Sequence, residues 1–150
     1  MKLILYSIFL ILLSIGGQAQ ETNQEIKNIQ TFIQETSQNE WFDPINKMDK
    51  LDNGVPYDIA YYVLTNKEVF SIIYTVFDKT TLRKSFYYKQ NQLIACIVEE
   101  TDANNANKIL KYADYFIKDN ELINKLEEKS YFPSKDIITE GIEKLNAFNN

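Results

Sequence analysis

The spacing of apolar residues changes character along this chain, and each change marks an element. A predominantly apolar run occupies 3–15. Beyond it, Ile26, Ile29, Phe32 and Ile33 recur at helical spacing, so residues 23–38 are expected to form an amphipathic helix, with Thr22 and Glu25 as its capping box. Asp43-Pro44 and Gly54 have the residue types of a helix start and stop. They predict a short second helix with Trp41, Ile45, Met48 and Leu51 on its buried side. From Val55 the period becomes two. Strands rich in Tyr, Phe, Val and Ile are predicted over 56–64, 69–77, 82–89, 92–99, 111–118 and 121–127. The breaks fall at Thr65-Asn66-Lys67, Asp78-Lys79-Thr80, Gln90-Asn91, Asp119-Asn120 and the polar tract 100–107, which is read as an exposed connection or a short helix. Pro133-Ser134 starts a final helix with Ile138, Ile142 and Leu145 on one face and Gly141 inside it. Without strand–helix–strand alternation the class is α+β: an antiparallel β-meander of about six strands, with an N-terminal and a C-terminal helix packed on one face.

Two stretches nearly repeat. Residues 87–94 read YYKQNQLI and residues 116–123 read FIKDNELI, each an aromatic, a lysine, a turn-like pair ending in Asn, and Leu-Ile. Asn tolerates the left-handed backbone of a two-residue hairpin turn. Pairing outward from the turns sets Tyr88 opposite Leu93, Phe86 opposite Ala95 and Lys84 opposite Ile97. In the second hairpin it sets Ile117 opposite Leu122, Tyr115 opposite Asn124 and Ala113 opposite Leu126. The face that these residues share, with Phe86, Tyr88, Leu93, Ile97, Tyr115, Ile117, Leu122 and Leu126, is expected to meet Ile29, Ile33, Ile138, Ile142 and Leu145 from both helices. The opposite face then carries Tyr87 with Ile94, Phe116 with Ile123, and an Asp114–Lys125 ion pair. Left open, its four large apolar residues would form a patch that monomers avoid. They stabilise the hairpins by themselves, are covered by a helix or a second subunit, or grip a partner. The paired stretches resemble the YY-x-N-G-x-L units of bacterial MORN-like hairpin arrays. Both lack the glycine, having Gln92 after Asn91 and Glu121 after Asn120, and the resemblance implies hairpin geometry only.

The first residues change where the protein is expected to act. Lys2, the apolar run and Gly17-Gln18-Ala19 have the layout of a signal peptide cleaved after Ala19. The run falls short of the roughly 20 apolar residues that span a bilayer. Residues 1–19 are therefore read as a signal peptide and 20–150 as one α+β domain, exported to the periplasm or secreted, with no membrane span after cleavage. The absence of an Asn-x-Ser/Thr sequon and the abundance of Asn, Ile and Lys agree with a bacterial source. Losing Lys2 takes the formal charge from −5 to −6, since −5 less one positive charge is −6. An acidic chain is a poor partner for nucleic acid. Cys96 is the only cysteine, so no internal disulfide can form, and its apolar neighbours place it inside a strand.

The residue types exclude much chemistry. The chain has no histidine, hence none of the nucleophile–base pairs or zinc sites that depend on it. Four glycines build no phosphate loop. A calcium loop starting at Asp49 would have Leu51 in its third place and Ala60 in its twelfth, which breaks the pattern. Glu99, Glu100 and Asp102 read as a solvated acidic run, with Asn104, Asn105 and Asn107 as further oxygen donors. No catalytic residue, metal or cofactor is assigned. The favoured function is a non-catalytic binding or protein-interaction module, inhibitor-like or immunity-like. Its binding residues would be Tyr87, Ile94, Phe116 and Ile123, with Arg83, the only arginine, at the rim. The alternatives are a small-ligand carrier or carboxylate-based enzyme with a cavity between sheet and N-terminal helix (Tyr61, Tyr62 and Tyr74 supplying polar groups), and a homo-oligomer self-associating through the aromatic face.

Overall fold

A computed structural model describes the backbone of residues 2–127 and 132–149 and the side chains of residues 20–126 and 132–149. Helix α1 (Lys2–Asn39) leads into strands β1 (Ile45–Lys50), β2 (Pro56–Val63), β3 (Val69–Phe77), β4 (Thr80–Lys89), β5 (Gln92–Asp102), β6 (Asn105–Lys118) and β7 (Glu121–Glu127), and helix α2 (Ser134–Asn149) follows. The strands form one antiparallel sheet in chain order. The protein is α+β, with seven strands among the described residues.

The added strand is β1, where a second helix was expected. Asp43-Pro44 and Gly54 punctuate a hairpin instead: Ile45 to Lys50 pair with Tyr61 to Pro56, and Gly54 takes the positive φ of 81° in the turn. The free edge of β2 offered ladder bonds worth more than an isolated short helix. Trp41 and Met48, expected to be buried, are 90% and 78% exposed. The polar tract 100–107 also joins the sheet, as β5 continues to Asp102 and β6 begins at Asn105. The start expected at Thr22 lies inside α1, which continues through Lys2.

The turns are as expected. Gln90, Asn91, Asp119 and Asn120 all have positive φ, between 52° and 61°, the pair of left-handed residues that a type I′ turn requires. Tyr88 faces Leu93 and Ile117 faces Leu122. One step further the register departs from simple pairing. A bulge leaves Ile94 without a partner, so Phe86 faces Cys96 and Lys84 faces Val98. The second hairpin has the equivalent bulge at Ile123, so Tyr115 faces Lys125 and Asp114 faces Leu126. The expected Asp114–Lys125 pair does not form, and Lys125 lies over the Tyr115 ring. The β2–β3 hairpin carries a third bulge, at Phe70. A bulge adds one residue to one strand and reverses the parity beyond it.

The two helices lie on opposite faces rather than on one. On the α2 face, Ile137 and Leu145 pack with Ile72, Phe86, Tyr88, Leu93, Cys96, Val98, Tyr115 and Ile117. Gly141 sits between Ile137 and Leu145 on the buried side, because a Cβ there would come within 2.7 Å of Leu93 Cδ2. That close approach lets the Tyr88 hydroxyl donate to the Gly141 carbonyl at 2.7 Å. Lys84, buried in the same layer, pairs with Glu140, and its ammonium lies over the Phe132 ring. On the other face, Ile26, Ile29 and Ile33 of α1 pack against Tyr87, Ile94, Ala95, Phe116 and Ile123. Ile97, expected towards the helices on the Phe86 side, pairs with Ser85 and Asp114 on this second face. Leu122 and Leu126 are 37% and 47% exposed.

Candidate functional site

The α1 face changes chemistry from one end of the sheet to the other, and its cross-strand rows show where. The first row is Tyr62–Ser71–Tyr87–Ala95–Phe116, and it lies beside the bulged residues Phe70, Ile94 and Ile123. Phe32 of α1 and Phe42 after it pack their rings on Phe70, which in turn meets Tyr87. The four residues expected as an open binding face, Tyr87, Ile94, Phe116 and Ile123, are thus brought together as expected but lie under α1. Burial raises the Tyr87 phenol above its ordinary pKa, against the opposing pull of Arg83.

The second row, Ala60–Ile73–Ser85–Ile97–Asp114, is small or apolar until its last member. The third is polar throughout: Asp58–Thr75–Arg83–Glu99–Tyr112. A fourth, Phe77–Thr81–Thr101–Ile109, ends it. Beyond the first row the helix no longer covers the sheet. These rows form the floor of a groove of about 560 Å³, lined among others by Asn46, Asp58, Tyr62, Thr75, Arg83, Glu99, Thr101 and Asn107. One wall comes from β6. Between Thr101↔Ile109 and Asp102↔Asn105 the strand has three more residues than its partner, and the excess carries Ala106 and Asn107 to the groove. Asp102 holds this tip by accepting the Asn104 N–H at 2.9 Å and pairing with Lys108 at 3.2 Å. The Asn104 N–H, then Lys108, keep its carboxyl below the ordinary range.

Within the groove the charges are only partly answered. Arg83 is exposed and has no ion pair among the described residues, though it stands opposite Glu99. Asp58 has a buried Oδ1 with no hydrogen-bond partner among them. Asp114, at the end of the second row, also has an unpartnered buried Oδ1. Burial raises the pKa of its carboxyl, opposed by a hydrogen bond from Tyr112. The three neighbouring acids separate as strand residues must: Glu99 faces the groove, Glu100 pairs with Lys111 at 3.1 Å, and Asp102 closes the turn. Cys96 is fully buried, and burial pushes its thiol up, away from the reactive thiolate.

Of the five expected binding residues, Arg83 alone lines the groove. Asp58 and Thr75 went unnoticed, and Thr101 was read only as part of the polar tract. Asp58 and Thr75 did leave a signal, as polar residues on one face of otherwise apolar strands, but only the strand register aligns them with Arg83. Tyr62 lines the groove, whereas Tyr61 and Tyr74 belong to the core on the α2 face. Comparison with protein-family models, with curated proteins and with solved structures finds no match. Among the described residues no helix is long and apolar enough to cross a membrane.

Proposed function

We propose that this protein is an exported, non-catalytic binding module that takes its ligand in the groove over Arg83. The observation that carries the reading is the uncovered polar half of the α1 face. A buried carboxylate oxygen without a partner and an exposed guanidinium without an ion pair stand two strands apart on one floor. A buried oxygen without a partner is costly, whereas the exposed guanidinium is solvated and free to meet a ligand in the groove. The volume of about 560 Å³ suits a small molecule or a short chain segment.

Several features favour binding over catalysis. The chain has no histidine, and its one thiol is shut in the core. Export rests on the leader-like residues 1–19. Cleavage after Ala19 would spare Ile26, Ile29 and Ile33, the residues that cover the aromatic row. The same cover leaves self-association through Tyr87, Ile94, Phe116 and Ile123 without an open surface.

Amide and side-chain NMR of the protein, titrated with a panel of small polar molecules, tests the reading. Binders are expected to shift Thr75, Arg83, Glu99 and Thr101 together, and Arg83→Gln should abolish those shifts while leaving the melting temperature unchanged. Shifts confined to the exposed Trp41 and β1, or unaffected by Arg83→Gln, would overturn it.

A further inference from the structure

The groove's residues restrict what it can hold. Its lining carries one cation, Arg83, and two carboxylates, Asp58 and Glu99, so its net charge is −1. A phosphate or other bare anion would gain Arg83 but meet two carboxylates. A purely apolar ligand would desolvate the guanidinium without giving it a partner, which is expensive for a charged group. A ligand that completes the row brings a cation to Asp58 and an anion to Arg83, with neutral polar groups between them.

Resting on the binding reading above, we infer that the ligand is a zwitterionic short peptide, its α-ammonium at Asp58 and its α-carboxylate at Arg83. Asp58 and Arg83 are separated by Thr75 alone in the row, about 10 Å at the backbone from two strand spacings. An extended dipeptide, about 7 Å long at roughly 3.3–3.6 Å per residue, fits within that separation. Arg83 has five donors in a planar fork, enough to meet a ligand carboxylate bidentately while still facing Glu99. The hydroxyls of Thr75 and Thr101 and the amide of Asn107 can donate and accept, as a peptide's own N–H and C=O groups demand. Ile73 and Ile109 give side chains of the ligand an apolar contact.

The test sets four probes against the wild-type protein by calorimetry and NMR: Ala-Ala, Ala-Ala with an acetylated amino group, Ala-Ala with an amidated carboxyl, and a neutral disaccharide. Ala-Ala should bind in the groove, and each end-blocked form should bind roughly ten- to hundredfold more weakly. Matched variants assign the ends. Asp58→Asn should cost Ala-Ala that factor yet barely affect the acetylated form, and Arg83→Gln should behave likewise towards the amidated form. Asp58→Asn keeps the side chain's shape, and the NMR spectrum of the free variant checks that it folds. Equal binding of blocked and free dipeptides, or groove shifts from the disaccharide alone, would overturn the zwitterion while leaving a binding groove. No groove shift from any probe would overturn the peptide assignment. If the wider panel of polar molecules also leaves the groove silent, the binding reading falls with it.

Discussion

The two faces of the sheet are covered by helices in different ways. On the α2 face, apolar side chains run from β2 to β6, and polar bonds fasten the helix at Tyr88–Gly141 and Lys84–Glu140. On the α1 face, apolar cover exists only beside the bulged residues Phe70, Ile94 and Ile123, and past a small or apolar second row the sheet turns polar. A continuous apolar face commits its whole area to the fold. A face that is apolar at one end anchors a helix there and leaves the rest of a rigid sheet available, with side chains held in register by the ladder.

That contrast can be broken from either side. Phe86→Ala removes the centre of the α2 layer, a fully buried ring, and should cost about 3–5 kcal/mol, read as a large fall in the urea midpoint. Ile29→Ala opens the smaller α1 cluster. It should cost about 2–3 kcal/mol and quench the groove residues' NMR signals less than those of Tyr87 and Phe116. Gly141→Val forces a side chain against Leu93 and Phe86. A loss of about 1–3 kcal/mol is expected, and an unchanged midpoint would show that α2 is not held at this distance.

The smallest effect concerns the border between the two halves of the α1 face. Burial holds the Asp114 carboxyl above its ordinary value of 3.8, so the folded protein binds that proton more tightly than the unfolded chain. Stability from this group is therefore full below 3.8 and falls as pH rises through the higher folded-state value. Asp114→Asn should raise the urea midpoint at pH 7, with the gain disappearing when both proteins are measured below 3.8. A gain that persists at low pH would point to packing rather than titration.

Much of the framework was legible in local residues. The six strands between Pro56 and Glu127 followed from β-branched and aromatic runs, except that β5 and β6 extend into the polar tract 100–107, and Gln90-Asn91 and Asp119-Asn120 announced their left-handed turns. The stretch 43–54 misled because Asp43, Pro44 and Gly54 serve a hairpin as well as a helix, and the open edge of β2 decided between them. The site was less legible. Arg83 stood out as the only arginine, yet Asp58 and Thr75 have meaning only once three strands are aligned.

The sequence alone determined six of the seven strands, the two flanking helices, their order and the turn chemistry, because each depends on residues within a few positions of one another. Which way the strands face was decided by tertiary structure. Leu93 to Val98 is apolar without a break, so its pattern assigns no side, and a single bulged residue at Ile94 reverses all that follows. The same reversal is repeated at Ile123. The Ile94 bulge sets Arg83 and Glu99 side by side on the polar floor that α1 does not reach.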